Sequence, residues 1–171
     1  MKKLLSTLLC AFAVLCTSHM MGAVDTAPQA TAVDTRSGPL QLHEDIGTLT
    51  ENGRGYIYLK VDDNYIKEIF PLLDAPDYTM PPYFRRADSP GAHISVFYEE
   101  ETKNLPQIAE VGKKFTFTPE SITTVNAGRK RYIILRVNSP ELEALRTKYG
   151  LKPLLQGHPF HISIAVQNIR H

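Results

Sequence analysis

Cysteine is almost missing from this chain: its two copies, Cys10 and Cys16, both fall near the start. The remainder therefore has no disulfide, no thiol nucleophile and no cysteine-type zinc site. Long apolar runs are equally scarce. The best, Leu4 to Leu15, follows Lys2-Lys3 and is too short to span a bilayer. With small residues after it at Cys16-Thr17-Ser18 and Gly22-Ala23, it predicts a secretory signal over 1–23, cut between Ser18 and Ala23. Leu15 is bulkier than a lipoprotein signal wants before its cysteine. A periplasmic or secreted protein is expected, with no stable membrane insertion after cleavage. A charge of one sign is lacking too. The formal net charge is +1, and without Lys2 and Lys3 there are 17 basic residues against 18 acidic ones. That balance argues against long nucleic acid as a partner, which calls for a clustered basic surface. Also missing are a Gly-rich phosphate loop, a His-Glu-x-x-His and an Asp/Glu cluster at metal-ligand spacing, so neither a cofactor nor a metal is expected.

What is present begins after a leader over 24–40, rich in Ala, Thr, Asp, Pro, Gln and Ser and without periodicity. Residues 41–171 suffice for one domain with a real core, read as lobes over 41–112 and 113–171. Tyr56 to Val61 alternates, with Ile57, Leu59 and Val61 on one face and Tyr56, Tyr58 and Lys60 on the other. Asp62-Asp63 can cap a helix carrying Ile66, Ile69, Phe70 and Leu73, which Pro71 frays or stops. A Pro- and aromatic-rich loop from Asp74 to Ala92 leads to a strand over His93 to Tyr98. Strands are expected at 114–118 and 121–125 around a Pro119-Glu120 turn, then at 131–137 after a turn at Ala127-Gly128.

Then the beginning returns. Tyr132 to Asn138 matches Tyr56 to Asp62 with the apolar parity kept. Ser139 and Pro140 open a helix with Leu142, Leu145 and Tyr149 on its buried stripe, and Gly150 stops it. A loop leads to a last strand over Phe160 to Gln167. Both halves thus read strand, helix, loop, strand. This predicts a duplicated lobe with approximate two-fold symmetry about a central cleft.

The last strand of each half carries one tripeptide, His93-Ile94-Ser95 and His161-Ile162-Ser163. The strand period puts each His and Ser on one face and the isoleucine on the other. One such tripeptide is roughly what chance supplies; two, at the same place in a repeated unit, are not. Two imidazoles can supply a base and an acid at neutral pH, and Ser95 and Ser163 can donate hydrogen bonds to non-bridging phosphoryl oxygens. Lys60 and Arg136, equivalent in the repeat, could hold phosphate. Tyr56, Tyr58 and Tyr132 share that face and could stack on a base. Tyr83, Phe84, Arg85 and Arg86 precede the first motif and could clamp a nucleotide. His158 lies in a Gly157-His158-Pro159 turn and reads as a loop residue, and His43 and His171 have no motif context.

Two His-x-[Ser/Thr]-hydrophobic motifs, each ending a repeated lobe, resemble the 2H phosphoesterase superfamily, which includes bacterial RNA 2′,3′-cyclic phosphodiesterases. The resemblance runs from Gly55 to Gln167. It implies an α+β fold of two lobes, with antiparallel sheets facing a central cleft and helices outside. It further implies a metal-independent phosphodiesterase acting on a 2′,3′-cyclic phosphate or a related small phosphodiester or RNA end. His161 is taken as base and His93 as acid, with the reverse left open by the symmetry. A monomer is expected. A non-catalytic nucleotide- or RNA-end-binding module using the same cleft is the alternative, and a structural periplasmic protein a third. The secretory leader departs from the many members that work inside cells.

Overall fold

The computed structural model describes residues 44–86 and 88–169. The signal peptide expected over 1–23 and the leader expected over 24–40 lie outside the described residues, as do His43 and His171. The strands are β1 (Ile46–Glu51), β2 (Ile57–Lys60), β3 (His93–Phe97), β4 (Lys114–Thr116), β5 (Thr118–Ala127), β6 (Lys130–Asn138) and β7 (His161–Asn168). The helices are α1 (Asn64–Lys67), α2 (Glu99–Thr102) and α3 (Pro140–Lys148), with a 3-10 turn at Phe70–Leu72. All paired strands are antiparallel, in the order β4-β1-β2-β3-β7-β6-β5. This is a mostly antiparallel sheet with few helices, compatible with a 2H phosphoesterase-like fold.

Register follows from one row of apolar side chains. Leu49, Leu59, Ile94, Ile162, Leu135 and Ile122 are consecutive cross-strand partners from β1 to β5. The first five are fully buried. Each fully buried Leu or Ile stabilises by roughly 1.5–3 kcal/mol, and a one-residue slip would turn every one of them outward. Helix residues Ile66, Ile69, Leu142 and Leu145 join the same core. α1 packs on β7 and α3 on β3, so each helix lies against the other half's histidine strand. With the isoleucines committed to the helices, His93, Ser95, His161 and Ser163 must take the opposite face.

The two histidine hairpins share one register. Lys60 is opposite His93 and Tyr58 opposite Ser95; likewise Arg136 is opposite His161 and Ile134 opposite Ser163. Both ladders shift at the same point, between Ile57 and Tyr58 and between Ile133 and Ile134. Where two sheets were expected, the strands form one, joined at Ile94 opposite Ile162. An antiparallel pairing centred there brings His93 alongside Ser163 and Ser95 alongside His161.

The sheet is also curled. β4 and β5 occupy its two opposite edges, yet only Phe117 separates them in sequence. Two trans peptides reach at most about 7.6 Å, so the edges must meet there. Phe117 is buried at that corner, and Ser139 Oγ ties it by donating to the Thr116 carbonyl at 2.7 Å.

Three local expectations change. The helix read over 62–73 is one α-turn and a 3-10 turn, because Pro71 has no N–H and the backbone tightens to Leu72 N–H bonding the Ile69 carbonyl. Pro119-Glu120 is not a turn but part of β5, with a register shift between Pro119 and Ser121. An edge strand tolerates proline, and a bulge absorbs the extra residue. β1 was not foreseen at all. Its Gly47 looks like a strand-breaker, but a Cβ there would lie 2.5 Å from the Lys60 carbonyl oxygen, so β2 approaches too closely for any other residue. The α3 reading holds: Ser139 Oγ accepts from Leu142 N–H at 3.3 Å, Pro140 follows, and Gly150 closes the helix at φ +76°.

Candidate active site

A cavity of about 590 Å³ opens on the face opposite the helices. Its wall includes all four motif side chains, His93, Ser95, His161 and Ser163, together with Tyr83, Tyr132 and Arg136. Tyr98, Thr123, Asn126, Gln156 and His158 add to its polar lining, and among the described residues no Asp or Glu lines it. Its volume lies within the range of small-molecule sites. A second depression of equal volume, at Asp77, Thr79, Arg131 and residues 166–169, contains no histidine among the described residues.

The histidines are oriented alike. His93 Nδ1 lies 2.8 Å from the Gly91 carbonyl, and His161 Nδ1 lies 3.0 Å from the Pro159 carbonyl. A carbonyl only accepts, so each Nδ1 carries the proton and donates, leaving Nε2 for the cavity. In the neutral ring that nitrogen is a base; protonated, it is an acid.

Their surroundings differ. His93 is buried, with the Tyr83 ring edge-on at 4.7 Å, Tyr58 at 5.4 Å and Tyr56 at 6.2 Å. Burial in this tyrosine box lowers the His93 pKa below its ordinary value. The bond to Gly91 opposes that shift, while the charges of Lys60 and His161 add to it. His161 is half-buried. Ser95 is met by a tyrosine hydroxyl, Tyr56 lying 2.6 Å from its Oγ, while Ser163 shares the cavity wall with Tyr83.

Not every candidate lines the cavity. Lys60 Nζ pairs with Asp63 and reaches the Ala92 carbonyl at 3.4 Å, while Asp63 Oδ1 accepts from Ala92 N–H at 2.9 Å. That clamp holds the start of β3. Burial raises the Asp63 pKa, but bonds from Lys60 and Ala92 and the charges of Lys60 and Lys67 outweigh it, and the carboxylate sits below its usual range. Tyr56 and Tyr58 stand behind the wall. Phe84 packs on the core with Lys67 over its ring, and Arg85 and Arg86 are exposed on the loop away from the cavity. Arg136 is the opposite of Lys60: it lines the cavity, and its buried Nε has no hydrogen-bond partner among the described residues.

Other wall residues were not singled out from sequence. His158 is in a turn, as read, yet the Leu155–His158 bridge holds it at the rim beside Gln156. Thr123 and Asn126 come from β5, whose course was misread at Pro119. In the structure Thr123 is the cross-strand partner of Ile134, itself opposite Ser163. Among the described residues, no three His, Cys, Asp or Glu side chains cluster as a metal site.

The family model described as the Swiss Army Knife 2H phosphoesterase domain matches residues 57–170, two thirds of the chain. No curated protein and no solved structure matches it.

Proposed function

The chain belongs to the 2H phosphoesterase superfamily, and on that footing we propose that it hydrolyses a small phosphodiester, a 2′,3′-cyclic phosphate of a nucleotide or RNA end, between its two motif histidines. One observation carries the reading: both imidazoles and both serine hydroxyls line a single cavity that contains an arginine and, among the described residues, no carboxylate. Such a lining suits an anion. The Arg136 guanidinium on that wall supports it, since a charged N–H donor holds a phosphoryl oxygen more strongly than a neutral one.

In the proposed reaction the neutral His93 Nε2 takes a proton from water as the water oxygen bonds to phosphorus. The bond from phosphorus to the ribose oxygen breaks on the far side, and that oxygen takes the proton of His161 Nε2. The product is a phosphomonoester beside a free hydroxyl. Solvent then takes the proton from His93 and returns one to His161. Ser95, Ser163 and Arg136 stabilise the charge that builds on the non-bridging oxygens. The roles reverse the assignment taken from the sequence, because the tyrosine box favours the neutral form of His93.

His93→Ala and His161→Ala, each assayed on a 2′,3′-cyclic nucleotide, should lose about 10³-fold in kcat while melting within a few degrees of the parent. A chelator should leave the parent rate unchanged. Full activity in either variant sinks the mechanism. Tight nucleotide binding without turnover in the parent would move the conclusion to a binding module.

A further inference from the structure

Ser95 has one proton and two places to send it. Its Oγ lies 2.6 Å from the Tyr56 hydroxyl, and by geometry either could donate. If Ser95 donated to Tyr56, it would have no proton left for a ligand in the cavity. The two hydroxyls are unequal acids, however: a phenol titrates near 10 and an alcohol much higher, so the phenol is the better donor. Burial pushes the Tyr56 hydroxyl higher still, which keeps its proton in place.

Tyr56 is well held for such a part. It precedes β2 on the same face as Tyr58 and Lys60, and its ring stacks on Tyr58 at 5.4 Å and Tyr98 at 6.2 Å. It does not line the cavity, so it acts only through Ser95. The repeat would put Tyr132 in the corresponding place beside Ser163. Tyr132 lines the cavity instead, as does Tyr83 from the other half's loop. The sequence repeat alone therefore does not reveal this pairing.

We infer that Tyr56 is a positioning residue: its O–H donates to Ser95 Oγ, fixing that rotamer and leaving the serine proton free to be donated into the cavity to a phosphoryl oxygen. The inference rests on the phosphodiester reading of the cavity. Tyr56 would then supply a hydrogen bond to the transition state at second hand, and its effect should vanish when Ser95 is gone.

A double-mutant cycle of Tyr56→Phe and Ser95→Ala on a 2′,3′-cyclic nucleotide tests it. Tyr56→Phe should lower kcat roughly tenfold with KM within about twofold, and Ser95→Ala about a hundredfold. The double variant should match Ser95→Ala. An unchanged kcat in Tyr56→Phe, or a full tenfold further loss in the Ser95→Ala background, overturns the inference; the latter is the mark of a packing role. The same cycle is read in the Kd of a nucleoside 2′-phosphate by calorimetry, which needs no turnover. Weakening of a few fold by Tyr56→Phe, absent without Ser95, supports the relay, and equal weakening in both backgrounds overturns it. A parent inactive on every cyclic phosphodiester would refute the proposed reaction, while the binding cycle would still decide the role of Tyr56.

Discussion

Lys60 and Arg136 hold the same station in two hairpins of the same register, each directly across from a motif histidine. Their fates diverge because of one residue three positions on. After Lys60 comes Asp63, whose carboxylate takes the ammonium and the Ala92 N–H together. After Arg136 comes Ser139, whose hydroxyl caps α3 and bonds the Thr116 carbonyl, offering no charge. One cation thus holds the start of β3, and the other lines the cavity, its buried Nε–H without a partner among the described residues. A repeated strand can keep its register and its histidine while its neighbouring cation changes trade.

The sharpest way to break this comparison is to remove each cation in turn. Arg136→Met should lower kcat/KM about a hundredfold, in the range of losing a charged transition-state donor, with melting unchanged or slightly raised. Lys60→Met should do the reverse: turnover within about threefold of the parent and a lower melting temperature. The stability effect is kept small because both Lys60 and Asp63 are about one-third exposed. Paired rate assays and thermal melts decide it. Similar losses of rate in both variants would mean that Lys60 also serves the ligand, and the contrast would fail.

A smaller effect is expected where each half anchors its histidine. Gly91 and Pro159 present equivalent carbonyls to Nδ1, but Gly91 does so at φ +63°, where a Cβ would run into Asp63 and Lys60. Gly91→Ala should cost about 1–3 kcal/mol of stability and roughly tenfold in rate, since the strained backbone carries the His93 anchor. Pro159→Ala keeps its carbonyl and should change the rate less than threefold. Denaturant unfolding and steady-state kinetics on both variants measure the difference; equal, small effects would show that the Gly91 turn has slack.

Much of this was legible in the chain. Alternation over Tyr56–Val61 and Tyr132–Val137 specified two strands of like parity, and parity alone put both histidines and both serines on one face. Even the divergence of the cations was written there, as Asp63 against Ser139 at the repeat spacing of 76 residues. Tertiary pairing was harder to read. β1 was hidden because its Gly47 serves a close approach that no local pattern announces. The cavity wall from β5 was hidden because a proline marks a turn in most contexts and an edge bulge in this one. His158 shows the limit of motif reasoning: without a hydroxyl two residues on it looked idle, yet chain geometry places it at the rim.

The subtlest contrast is between the tyrosine box around His93 and the half-buried setting of His161, and pH reads it. Burial among Tyr56, Tyr58 and Tyr83, with Lys60 and His161 nearby, disfavours the charged form of His93 and lowers its pKa. If His93 is the base, activity survives until it is protonated, so the acid limb of kcat/KM should lie below about 6.5, the value for a free histidine. Stability carries the same sign. Below about pH 6.5 the unfolded chain binds a proton here that the folded chain still refuses, so folding weakens as pH falls toward the folded pKa. Tyr58→Ala, which opens the box from behind without touching the cavity wall, should admit water to the ring. The acid limb should then move upward by a fraction of a pH unit while the alkaline limb stays in place. An acid limb at or above about 6.5 in the parent, unmoved by Tyr58→Ala, would give the base to His161 and return His93 to the role of acid.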